Sequence, residues 1–230
     1  MRSDKALAIK LRRNGLTYSQ IGLKLGVSKS TLSSWLKNLN LDKKASAKIH
    51  QHIQAIKIKK LIKRNKDRSK LIQNKHEKNR AKASKEAIRF LSDPLFITGL
   101  ALYWGEGYKK GAQGSKWKSI DFANSDPEMI RIMMKFFLRF LPITKSDITA
   151  QLMLHNNSES QDKKSIAFWK KITKLDSNNF CKVSHVISKA SRKKTINKLP
   201  HGTIHIRINN VNLFFRLIGW IDFLKKKFEN

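Results

Sequence analysis

SDKALAIKLRRNGLTYSQIGLKLGVSKSTLSSWLKNL, residues 3–39, sets Leu7, Leu11, Ile21, Leu25, Val27, Leu32, Trp35 and Leu36 at helical spacing. Ser3 or Asp4 is placed to cap a first helix that ends near Asn14-Gly15, where glycine supplies the left-handed closing residue. Thr17 opens a second helix over residues 18–25. Gly26 then makes a tight turn, because a residue without Cβ takes positive φ freely. Ser28 caps a third helix, predicted to run to about Leu39.

Two short helices crossing at a glycine turn define a helix-turn-helix, whose second member lies in the major groove of a duplex. On the outer face of that second helix stand Lys29, Ser30, Thr31, Ser33, Ser34 and Lys37, short polar or basic side chains with no acid among them. Such residues suit base edges and phosphates. The stretch SQIGLKLGVSKSTLSSWLK, residues 19–37, resembles the helix-turn-helix of the resolvase and sigma-factor-like families. The bland alternative, a three-helix bundle with no ligand, sits badly with a charge of +7 over residues 1–41.

The basic excess continues along the chain. Across 230 residues, 49 Lys and Arg face 16 Asp and Glu, a net +33, with +13 in residues 42–92 and +13 in residues 93–230. A chain that repels itself this strongly calls for a polyanionic partner, whereas its 40% hydrophobic content is enough for true cores. The longest apolar run, Leu95 to Trp104, is about half of what a spanning helix needs. Cys181 is the only cysteine, so no internal disulfide can form, and a reducing, cytoplasmic, nucleoid-associated setting is expected.

Residues 42–92 are Lys-rich and lack Gly and Pro. Ile49, Ile53 and Ile56 make a short helical stripe, but no heptad persists, so this connector reads as either a basic helix or a disordered basic tether. Either form adds phosphate attraction that ignores sequence.

Residues 93–230 read as a second, α+β domain. Asp93-Pro94 begins a helix running into LFITGLALYWGEGYKK. A short strand at 118–122 is followed by the capped helix 129–141, and residues 148–155 alternate as a strand. A helix at 165–175, strands at 183–188 and 203–208 and a closing helix at 211–228 complete the order α, ββ, α, β, inserted α, ββ, α.

That order, with Gly99-Leu100-Ala101-Leu102-Tyr103-Trp104-Gly105-Glu106-Gly107, resembles the LAGLIDADG homing-endonuclease family over roughly residues 93–228. The wording departs at Gly99, Tyr103 and Trp104. The resemblance implies an αββαββα fold, a homodimer paired through the 95–107 helix by Ala101 and Gly105, and Glu106 as a metal-binding acid at the helix end. Small residues four apart lie on one helix face and allow close backbone approach. A carboxylate at a helix C-terminus opposes the helix dipole, which a bound Mg²⁺ would reverse. The alternative for Glu106 is a solvated acid beside Lys109 and Lys110.

In that family the strands form a saddle on DNA. Candidate contacts are Lys116, Lys118, Gln151, His155 and Asn209, with Lys189, Arg192, Lys193 and Lys194 as a loop cluster on phosphate. Arg207 is the candidate for stabilising charge at a scissile phosphate. Seven histidines assemble no evident metal site, since His201 and His205 stand about 13 Å apart at strand rise. Three functions stay open: a sequence-specific DNA-binding regulator without cofactor, a Mg²⁺-dependent site-specific DNA endonuclease, and a nonspecific nucleoid or RNA-binding protein.

Overall fold

The computed structural model describes residues 3–154, 158–185 and 199–229. The chain divides into two compact units, Met1–Ile72 and Gln73–Asn230.

In the first unit α1 (Ser3–Arg13), α2 (Tyr18–Leu25) and α3 (Lys29–Leu36) enclose a small core. Ala8, Ile21, Leu32 and Leu36 are buried at its centre, with Leu11, Leu16, Tyr18, Val27 and Trp35 packed around them. Leu7, expected inside, is 46% exposed. Thr17 caps α2 in a full capping box: the Gln20 amide donates to its hydroxyl at 3.3 Å, and its own amide donates to Gln20 Oε1 at 2.9 Å. Gly26 turns the chain at φ +68°. A Cβ on Gly22 would stand 2.8 Å from the Val27 carbonyl, so a bare helix surface is what lets the turn fold so tightly. The third helix ends at Leu36, about one turn before the expected Leu39.

The basic connector is helical, not a disordered tether. A single helix, α4 (Lys43–Glu86), spans 44 residues, with no Gly or Pro to break it. Asp42 caps it by accepting from the Ala45 amide. In the first unit Ala45 and Ile49 are buried, and every residue from 50 to 72 is exposed. In the second unit the end of α4 packs on α8 (Val211–Phe228). There Arg80 pairs with Asp222 and Arg216 with Glu86, and Asn79 donates to the Asn212 carbonyl at 2.8 Å. Gly219 permits this approach, because a Cβ on it would strike the Arg80 carbonyl.

The second unit is α+β: α5 (Pro94–Glu106), β1 (Ile120–Asn124), α6 (Pro127–Phe140), β2 (Ile148–Leu154), α7 (Glu159–Thr173), β3 (Ser184–His185), β4 (Thr203–Ile208) and α8. The sheet runs β1-β4-β2-β3, with β1 and β2 antiparallel to β4, and β3 parallel to β2. Strand alternation decides its two faces. Ile120 and Phe122, Ile148, Ala150 and Leu152, and Ile204, Ile206 and Ile208 point into the core. There Phe96, Phe136, Phe140 and Trp220 meet edge-on or tilted at ring-centroid distances of 5.1–6.2 Å.

Two expectations are corrected. The first ββ pair is not formed: Gly107 makes one bridge to Phe122 and Tyr108 donates to the Asp121 carbonyl, but residues 110–113 then turn as a 3₁₀ helix. The cause is local. Gly107 lies against the Tyr103 ring, and Gly111 is buried where a Cβ would meet the Trp117 carbonyl and the Phe214 ring, so the segment curls instead of extending. The inserted helix begins at Glu159, six residues before the predicted Ser165. Of the predicted strand at 183–188, only residues 183–185 are described.

Candidate nucleic-acid interface

Three surfaces carry the residues singled out from the sequence. The first is the outer face of α3. Lys29, Ser30, Ser33, Ser34 and Lys37 are all exposed there, whereas Leu32 and Leu36 are buried. Thr31 is different: it is half-buried, and its hydroxyl lies 2.9 Å from that of Ser28, whose oxygen also accepts from the Thr31 amide at 3.2 Å. Ser30 joins the same cap through a 2.8 Å hydroxyl contact. The free donors of the face are therefore Lys29, Ser33, Ser34 and Lys37, and Ser28, Ser30 and Thr31 fix the helix start beneath them. None of the four is tied to another side chain by a hydrogen bond or ion pair among the described residues.

The second surface is the side of the sheet away from the core. Thr149, Gln151 and Met153 of β2, Thr203, His205 and Arg207 of β4, and Asp121 and Ala123 of β1 share it by register. Sequence reading placed Gln151 and Arg207 there correctly but missed Asp121, which organises them. Asp121 is nearly buried and accepts from Arg207 Nε at 2.9 Å and from His205 Nδ1 at 3.0 Å. Burial pushes its carboxyl up, but the bonds and charges of His205 and Arg207 outweigh that and hold it below the usual range. Arg207 Nη1 donates to Gln151, and the guanidinium lies 5.7 Å from the Trp117 ring centroid. Trp117 covers the sheet, against Tyr108 at 4.4 Å. Arg207 is thus committed to partners within the protein, and its assignment to a scissile phosphate gains no support from this geometry. Lys116 is exposed, and Lys118 donates to the Ser115 carbonyl at 2.9 Å. His155, Lys189, Arg192, Lys193 and Lys194 lie outside the described residues.

The third surface is the end of α5. Ala101 and Gly105 are exposed on one side of this helix, and a Cβ on Gly105 would meet nothing within 4 Å. Glu106 is its exposed last residue. The positive charge that a helix C-terminus attracts is already present. Lys109 folds back and its ammonium donates to the carbonyls of Trp104 at 2.7 Å, Gly107 at 2.8 Å and Gly105 at 3.3 Å. Burial holds the Lys109 pKa below its usual value, opposed by Glu106 and assisted by Lys225. No group of three or more His, Cys, Asp or Glu able to hold a metal occurs among the described residues. Within one chain, then, the described surroundings of Glu106 do not fit Mg²⁺.

Comparison with known proteins bears on the first surface. The family profile of the homeodomain-like domain matches residues 2–44, the span of α1 to α3 and the start of α4. No curated protein and no solved structure matches the chain. The N-terminal unit carries a helix-turn-helix of homeodomain-like kind, a domain whose presence points to DNA binding. No helix among the described residues is long and apolar enough to cross a membrane.

Proposed function

We propose that the chain is a sequence-specific binder of double-stranded DNA that acts as a regulator in the cytoplasm, associated with the nucleoid. The observation that carries this is the outer face of α3, where Lys29, Ser33, Ser34 and Lys37 project on the second helix of a homeodomain-like helix-turn-helix. A net charge of +33 supplies the sequence-independent attraction beneath that readout. The second unit serves as a LAGLIDADG-like platform. Its α5 carries Ala101 and Gly105 on an open side, which supports pairing with a second copy. The bond from Lys109 to the α5 terminus favours a platform that binds without cutting.

Selection from a random duplex library in Mg²⁺, repeated with Glu106→Gln, tests the reading. Enrichment of particular sequences with the DNA intact supports a regulator. Cleavage that vanishes with Glu106→Gln establishes the endonuclease instead. Equal loss of enriched and random duplex as salt rises leaves only nonspecific nucleoid or RNA binding. For the dimer, Gly105→Leu keeps the fold, since its side chain enters open space, and yields monomer by sedimentation; a variant that stays dimeric overturns pairing through α5.

A further inference from the structure

Beyond the turn where His52 meets Gln20, residues 57–72 of α4 are exposed around the whole helix. A lone helix of this kind lacks the tertiary packing that normally supports helices in proteins. Its charge also works against it: Lys59 and Lys63, Lys60 and Arg64, Arg64 and Arg68, and Lys66 and Lys70 are like-charge pairs four residues apart. Each such pair weakens an isolated helix.

The charges are not scattered. At roughly 100° per residue, Lys59, Lys63, Lys66 and Lys70 fall in one narrow sector. Lys57, Arg64 and Arg68 fall in a second. Between them runs a strip without charge, made by Ile58, Leu61, Ile62, Asn65, Ser69 and Ile72. The two basic sectors stand roughly 90° and 120° to either side of that strip.

We infer that residues 57–72 of α4 form a second DNA-contacting element, lying in the major groove with its uncharged strip toward the base edges and a basic sector on each flanking phosphate strand. The inference rests on the duplex-binding reading above and adds to it a surface outside the helix-turn-helix. The major groove, about 12 Å wide, admits one helix and presents phosphates on both sides. Basic helices that continue out of a larger fold into the groove are an established mode of recognition. Asn65 can pair with an adenine edge, Ser69 with any base edge, and the aliphatic residues can meet thymine methyls.

Charge selects this occupant over two others. A second copy seated on the same strip would bring four flanking basic sectors together with Asp67 as the only acid of residues 57–72 on each helix. A lipid surface would need an unbroken apolar strip, whereas Asn65 and Ser69 interrupt this one at its centre. Phosphates on both sides remove the like-charge repulsion that otherwise weakens the helix.

The test uses the full chain, a selected duplex and a random one, each titrated over a range of salt. Two variants, Lys59/Lys63/Lys66/Lys70→Gln and Lys57/Arg64/Arg68→Gln, empty the two basic sectors separately with a good helix former. The first is expected to lower the slope of log affinity against log salt by about 3.6, and the second by about 2.7, at about 0.9 per lost phosphate contact. Hydrogen exchange in residues 57–72 is expected to slow when duplex is added. Unchanged slopes in both variants, with wild type still bound to the selected duplex, overturn this inference and leave the helix-turn-helix reading intact. A change in only one variant overturns the groove placement, since the helix then follows a single strand. Wild type that fails to bind duplex defeats both. Loss of self-association in Asn65→Lys, or of binding to phosphatidylserine vesicles in the two glutamine variants, with duplex binding unaltered, overturns the choice of partner.

Discussion

The outer face of α3 and the open face of the sheet look alike in composition, both being polar with one or two cations, yet their donors are used differently. On α3, Lys29, Ser33, Ser34 and Lys37 stand free above a buried apolar side. On the sheet, Asp121 draws in His205 and Arg207, and Gln151 takes up a further guanidinium donor. A free donor can exchange water for a base edge or phosphate at little cost to the fold. A committed donor must first give up its partner. The first face is suited to reading a ligand, and the second holds together the strands that carry it.

The sharpest way to break this contrast is Asp121→Ala. It leaves Arg207 and His205 without their common partner at a site where the carboxylate is 7% exposed. Unfolding of the second unit is expected to become easier by about 3 kcal/mol in denaturant titration. A change within about 0.5 kcal/mol would mean that the network is incidental.

The same carboxylate sets a pH dependence. Its folded pKa is lowered, so its stabilising contribution is complete above the unfolded value of about 3.9 and disappears as pH falls through the lower folded value. Wild type should therefore lose stability below about pH 4 more steeply than Asp121→Asn. Parallel pH profiles would remove Asp121 from the account.

Smaller effects are expected on α3. Ser28→Ala removes the cap that accepts from the Thr31 amide, and should cost about 1 kcal/mol in thermal unfolding of the first unit. Smallest of all, Lys29→Ala with Lys37→Ala should shift stability by less than about 0.5 kcal/mol while weakening duplex binding. A large fall in melting temperature would show that these lysines hold the fold, as Arg207 does.

The sequence carried local information well and long-range pairing poorly. Gly15, Thr17, Gly26 and Ser28 punctuate the first unit through backbone rules that act within four residues, and the structure follows them. The α8 boundaries and the β4 span were likewise legible from periodicity. Pattern alone could not tell a Lys-rich helix from a tether, because residues 57–72 of α4 bury no apolar side that would leave a periodic signature. The missing strand after α5 turned on Gly107 and Gly111 fitting against Tyr103, Trp117 and Phe214, and the last of these, on α8, is beyond any local window. Asp121 was missed for a related reason. Only the register of β1 on β4 brings an acid from one strand opposite the Arg207 of another. The Lys109 cap could have been sought, since a lysine three residues past a helix end is within reach of its last carbonyls.

Lys29, Ser33, Ser34 and Lys37 are the free donors on α3 proposed to meet a duplex. That contact is measured by the affinity of the full chain for a selected duplex and a shuffled one at about 0.15 M salt, a physiological ionic strength. The selected duplex is expected to bind at least about a thousandfold more tightly, with most of that ratio lost in Lys29→Ala/Lys37→Ala. Equal affinity for the two, or no retention of either, would contradict it.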